Sequence, residues 1–142
     1  MILADTSAWV EYDRATGSAV DQRLTALITA GAAAAGHAVA VTEPVMMEVL
    51  AGARSDQRES DLRRLLLRFH LLRFEAVTDF EGAARIYRRC RRAGVTPRGM
   101  VDCMIAAVAL RTGATLLSQD VDMDRLAQVA GIALDSASLR AP

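Results

Sequence analysis

Met1-Ile2-Leu3-Ala4-Asp5-Thr6-Ser7 opens the chain with an apolar run, then an acid and two hydroxyl residues. The run reads as a short buried strand, and Asp5, Thr6 and Ser7 end it because their side chains cap helices. Asp5 is therefore expected at the C-terminal tip of a strand. The pattern returns along the chain. His37-Ala38-Val39-Ala40-Val41-Thr42 reads as a second strand, Leu71-Leu72-Arg73-Phe74 as a third, Ala114-Thr115-Leu116-Leu117-Ser118 as a fourth, and Ile132-Ala133-Leu134 as a last short one. Helical spacing fills the intervals: residues 8–12, 19–30, 43–50, an amphipathic helix from Ser55 that turns Leu62, Leu65, Leu66 and Phe69 inward, 79–93 ending at Gly94, 96–110 and 125–130. The Ala/Gly-rich stretch 31–36 reads as a turn. Strands alternating with helices imply an α/β fold with a parallel sheet covered on both faces. Sites in such folds lie beyond the strands' C-terminal ends, where Asp5 and Asp120 fall.

Residues 96–110 form the most apolar of these helices. Thr96 can cap it and Pro97 can occupy its first turn. Asp102 then sits one turn in, among Met104, Ile105, Ala106, Val108, Ala109 and Leu110, where a carboxylate is costly unless it meets a cation or donors. The simplest partner is Arg98, four residues earlier on the same face.

At 142 residues the chain is expected to form one domain, residues 1–142, burying roughly 70% of its unfolded surface. No apolar run approaches the ~20 residues of a membrane span. The first residues lack the basic start of a signal peptide, so a cytoplasmic protein is expected. Cys90 and Cys103 fall in helices without metal-type spacing and read as reduced packing residues. Net charge is zero, which argues against coating nucleic acid through bulk charge but permits a local groove. Every cation is arginine. The densest group, Arg85, Arg88, Arg89, Arg91 and Arg92, reads as a solvated face or a phosphate-contacting rim.

Asp5, Glu48, Asp102 and Asp120 each stand at or just after an apolar segment. If they converge, their repulsion is tolerable only with divalent cations, and oxygen donors suit Mg²⁺ or Mn²⁺. Such a site does phosphoryl chemistry: bound metal activates a water and stabilises the leaving oxygen of a phosphodiester, with no histidine base. His37 and His70 accordingly read as structural. Glu11, Asp13, Glu43, Asp56, Glu59, Asp61 and Asp79 read as caps and solvated faces, and Trp9, Tyr12, Phe69 and Phe74 as core or interface.

Asp5-Thr6-Ser7, Thr42 with Glu48-Val49-Leu50, Asp102-Cys103-Met104-Ile105-Ala106-Ala107 and Leu117-Ser118-Gln119-Asp120-Val121-Asp122 resemble, in order and spacing, the successive motifs of PIN-domain nucleases. Length and order further resemble the VapC-type toxins of bacterial toxin–antitoxin pairs, over essentially the whole chain. The resemblance implies a three-layer α/β/α sandwich around a central parallel sheet and Mg²⁺- or Mn²⁺-dependent endonucleolytic cleavage of RNA, with transfer RNA favoured over ribosomal RNA. It also implies inhibition by a cognate VapB-like antitoxin and a homodimer or toxin–antitoxin hetero-oligomer. Asp5, Glu48, Asp102 and Asp120 match the family's metal-binding acids, and Thr6, Ser7 and Ser118 match hydroxyls that orient them. Asp122 falls where many members carry a further acid. The departure is that Met123 replaces the usual aromatic and Asp124 adds a carboxylate, so either acid could assist the metal, or both could favour the start of the helix at Arg125.

Phosphoacceptor and receiver-type domains also carry an Asp after strand one, but they typically hold the acyl phosphate with a lysine, and this chain has none. A DNA-directed nuclease of the same fold usually needs insertions for which 142 residues leave little room. A non-catalytic phosphate- or partner-binding module is disfavoured by the presence of all four acids.

Overall fold

The computed structural model describes residues 1–31 and 38–142. Its elements run β1 (Ile2–Ala4), α1 (Thr6–Arg14), α2 (Ala19–Ala30), β2 (Val39–Val41), α3 (Glu43–Ala51), α4 (Asp56–Leu66), β3 (His70–Leu71), α5 (Ala76–Arg92), α6 (Met100–Thr112), β4 (Thr115–Leu117) and α7 (Val121–Ala130). All pairings are parallel, in the order β3-β2-β1-β4. Ile2 pairs with Val39 on one side and Thr115 on the other, so β1, β2 and β4 end level with one another. Their residues are buried apart from half-buried Thr115, as a sheet with helices on both faces requires. This is the expected three-layer α/β/α sandwich.

The helices fall into two packed groups, α1 to α4 and α5 to α7. α5 and α6 approach one another closely at Gly82, where a Cβ would stand 3.3 Å from the Ala107 Cβ. Leu3, Leu24, Leu66, Ile105, Leu116, Leu117 and Leu126 lie at the centre of the core. Cys90 and Cys103 are free and buried within it, and burial first of all pushes the Cys103 thiol up to about 11. Among the described residues no helix is long and apolar enough to cross a membrane.

Several boundaries differ from those read in the sequence. The helix expected from Thr96 begins at Met100, because its N-cap Gly99 is extended, at φ −161° and ψ 164°, and breaks helical continuity with Pro97 and Arg98. α7 starts at Val121 rather than Arg125, since the Asp120 carboxylate accepts the Asp122 N–H and nucleates the turn there. The third strand is only His70–Leu71, at the sheet's exposed edge, and Phe74 leaves it with its N–H on the Glu43 carboxylate at 2.7 Å. The last strand shrinks to one parallel bridge between Leu134 and Leu116. His37 and residues 32–36 of the expected turn lie outside the described residues.

Candidate active site

Because β1, β2 and β4 are parallel and level, the residues that follow them meet at one end of the sheet. Asp5 caps α1: its carboxylate accepts the Ala8 N–H at 3.0 Å and the Ser7 hydroxyl at 2.6 Å. Ser7 Oγ in turn accepts the Gln119 N–H at 2.8 Å and stands 3.3 Å from Ser118 Oγ. Ser118, fully buried at the tip of β4, accepts the Asp120 N–H at 3.1 Å. The hydroxyls of Ser7 and Ser118 thus tie the tips of β1 and β4 together between the two acids. On the other flank the Thr6 hydroxyl donates to Glu48 Oε1 at 2.6 Å, aiming the α3 acid back toward β1.

Asp5, Glu48, Asp102 and Asp120 line one open cleft of about 550 Å³, together with Glu11 and Arg98. Burial, then the charges of Asp120, Asp5 and Glu48, push the Asp102 carboxyl up to about 6, with Arg98 opposing. Burial raises Asp5 as well, and Asp120 adds to it, against the hydrogen bonds from Ser118, Ser7 and the Ala8 N–H. Among the described residues, no three His, Cys, Asp or Glu groups stand close enough together to form a finished ligand cage. The acids face a shared space instead, apart yet near enough to raise one another's affinity for a proton. Oxygen-only donors under mutual repulsion fit a hard divalent cation, which would stabilise them all as carboxylates.

Arg98 does not take the partner expected for it. Its guanidinium bonds the Asp120 carboxylate and reaches Asp122 Oδ2 at 3.0 Å, leaving Asp102 with only a long-range share of its charge. The reason is the late start of α6: Arg98 lies ahead of the helix, so the four-residue spacing to Asp102 is not a helical one. Asp122 is held between Arg98 and Arg125, the latter at 3.1 Å, at the first turn of α7. It does not line the cleft. Asp124 is buried elsewhere, accepting the Ala141 N–H at 2.7 Å, the Gln128 amide at 3.0 Å and Arg140 at 3.4 Å. Burial raises its carboxyl, but these donors outweigh that and leave it below its ordinary value.

Glu11, whose sequence setting suggests a solvated acid, belongs to the cleft instead. It stands one turn after Ser7 on α1, lines the cleft, and keeps Oε2 buried without a hydrogen bond. The spacing of four from Ser7 was the signal that could have found it. No arginine of α5 lines the cleft; Arg85 pairs with Glu81 and Arg89 reaches the Val129 carbonyl. Trp9 is core, packed on Phe69 and edge-on to Tyr12.

The PIN domain family model matches residues 2–129. Ribonuclease VapC11 of Mycobacterium tuberculosis and a VapC ribonuclease of Mycobacterium bovis are each 44% identical over 140 residues, covering 99% of this chain and all of theirs. Among solved structures, VapBC2 of Rickettsia felis, bound to a fragment of its promoter DNA, superposes with a TM-score of 0.73 at 18% identity, over 98% of this chain and 99% of that one. Mycobacterium tuberculosis VapC20, a sarcin–ricin loop cleaving toxin, gives 0.64 at 18% identity, over 94% and 97%. With four acids around one cleft at the end of a parallel sheet, and with a family match that spans them all, the chain belongs to the PIN-domain family, among the VapC ribonucleases.

Proposed function

We propose that the protein is a Mg²⁺- or Mn²⁺-dependent endoribonuclease, the toxin of a VapBC-type pair, acting as one domain in the cytoplasm. The observation that carries this reading is the cleft shared by Asp5, Glu48, Asp102 and Asp120, with Asp102 raised to about 6 by burial and by its acidic neighbours. A divalent cation there supplies Lewis acidity and an activated water for phosphodiester hydrolysis. The chain's own part is positioning. Ser7 and the Ala8 N–H fix Asp5, Thr6 fixes Glu48, and Ser118 fixes the turn that carries Asp120. Asp102 must lose its proton to bind a cation, so metal affinity and cleavage should both rise as pH passes through about 6. Arg98 neutralises Asp120 and Asp122 at the mouth of the cleft, where an RNA phosphate would arrive.

The surplus of acids also suits a partner that brings arginine or lysine over the cleft, as a VapB-like antitoxin would with its C-terminal segment. Beside the cleft, and sharing Glu48 with it, a groove of about 410 Å³ between α1, α3 and α4, floored by the buried Trp9, Val49 and Leu62, could receive that segment's apolar residues. Self-association is part of the same reading, as is a structured RNA substrate, with transfer RNA first to be tried. The decisive test is cleavage of cellular RNA with and without Mn²⁺. Cleavage that needs the metal, leaves 5′-phosphate and 3′-hydroxyl ends and disappears in Asp5→Asn is expected. Undiminished cleavage in excess chelator, or 2′,3′-cyclic phosphate ends, would sink it.

A further inference from the structure

We propose that residues 132–140, which follow α7, form a brace that positions Asp5 and Asp120, with Ser138 as its positioning residue. The segment lies beyond the residues matched by the family model. It runs beside β4 as a broken fifth strand. Leu116 donates its N–H to the Ala133 carbonyl at 2.9 Å, and Asp135 donates to the Leu116 carbonyl at 2.7 Å. Then the pairing changes character. The Ser118 N–H goes to the Ser138 hydroxyl at 3.1 Å instead of to a backbone carbonyl, and the Leu139 N–H takes the Ser118 carbonyl at 2.9 Å. Both backbone groups of Ser118 are therefore held by the brace, which leaves its side chain to hold the Asp120 N–H and to face Ser7.

The brace is anchored on both sides of that contact. Arg23 of α2 grips the buried Asp135 carboxylate with Nε and Nη2 at 3.1 and 3.0 Å. On the other side Arg140 and the Ala141 N–H converge on Asp124. Asp124, which the sequence leaves open as a second metal acid, is committed to this anchor. Ser138 is itself buried and bonds at most weakly to the Leu116 carbonyl, at 3.4 Å, so its oxygen is oriented toward Ser118 by its backbone and its surroundings. Loss of this one hydroxyl leaves the buried Ser118 N–H without a partner, and the shift it must make to find one moves the turn that bears Asp120.

The inference rests on the metal-dependent reading of the acids, so its test has one arm that needs no metal. In the full chain, Ser138→Ala and Ser138→Thr are compared with the parent by amide hydrogen exchange, Mn²⁺ titration calorimetry and RNA cleavage. Ser138→Ala should exchange faster at Ser118 and Asp120, bind Mn²⁺ about tenfold more weakly and lose about tenfold in kcat at unchanged KM. Ser138→Thr, which keeps the hydroxyl, should restore most of each. Faster exchange with parental Mn²⁺ affinity and kcat would overturn the proposal, as would parental values throughout. If Ser138→Ala does not fold, Arg140→Ala loosens the anchor without touching Ser118 and must give the same pattern in weaker form. A parent that binds no Mn²⁺ refutes the metal reading instead, and the exchange arm then decides whether the brace holds the turn.

Discussion

Asp102 and Arg98 show how much a single side chain's register matters. The Asp102 carboxyl holds its proton to about pH 6 in the folded chain, against an ordinary 3.8. Between those values the native state binds the proton more tightly than the unfolded state, so the metal-free protein should lose stability as pH rises from about 4 to about 6. Asp102→Asn removes its share of the slope, leaving that of Asp5, and urea melts at pH 7 should find it at least as stable as the parent. A variant less stable than the parent at pH 7 would mean that the carboxylate is a favourable ion-pair partner after all. Arg98→Ala should act in the opposite sense on the metal. Its guanidinium is two-thirds exposed, so the ion pairs contribute little to stability, yet it occupies the Asp120 carboxylate that a cation would use. Mn²⁺ titration should show severalfold tighter binding, a difference that shrinks as salt screens the charge. Equal affinity would show that Arg98 does not compete. The four acids were legible because each breaks an apolar stretch. The pairing of Arg98 was not, since it depends on the extended Gly99 that delays the helix, and Glu11 was hidden because a lone acid on an amphipathic helix looks like any solvated face.

At the level of elements, the α5–α6 contact carries a buried charge with a single strong partner. Asp79 is buried and accepts Arg111 Nε and Nη2, both at 2.9 Å, together with the Glu75 N–H at 2.7 Å. Burial raises its carboxyl, but the bond from Arg111, that from the Glu75 N–H and the Arg111 charge prevail and hold it below its usual value. The stability it contributes is therefore complete above about pH 4 and fades as pH falls through the depressed value. Arg111→Ala strands that carboxylate and should cost about 3 kcal/mol in denaturant unfolding. A loss under 1 kcal/mol would mean that the Glu75 N–H suffices. Asp79 also explains the early start of α5: its side chain folds back onto Glu75, so the acid that looked like the first residue of a helix lies inside the first turn. The strands β1, β2 and β4 were readable from their apolar runs and the acids or hydroxyls that close them. β3 and the segment at Leu134 were not, because both lie at sheet edges, where two paired residues or a single bridge suffice and the apolar pattern no longer fixes the ends.

Across the whole molecule, apolar side chains left in solvent mark where another surface would fit. Val77 and Phe80 on α5 are 71% and 56% exposed, and Leu110 on α6 is 47% exposed. If copies of the chain associate through these helices, Phe80→Ser with Leu110→Ser should shift sedimentation toward the monomer without moving the melting temperature by more than a few degrees. An unchanged sedimentation profile would place any self-contact elsewhere. Nothing in the order of apolar and polar residues announced this patch, because the same spacing that buries Ala83, Ile86 and Cys90 also sets Val77 and Phe80 on the outer side of α5. The sheet order has a different kind of consequence. β1 lies between β2 and β4, and Ile2 waits for Thr115 before its second edge is closed. On a ribosome, Asp5 emerges near the start of synthesis and Asp120 more than a hundred residues later. If these acids are the cutting site, as proposed, a nascent chain stays unarmed until its fourth strand has left the ribosome and closed on the first.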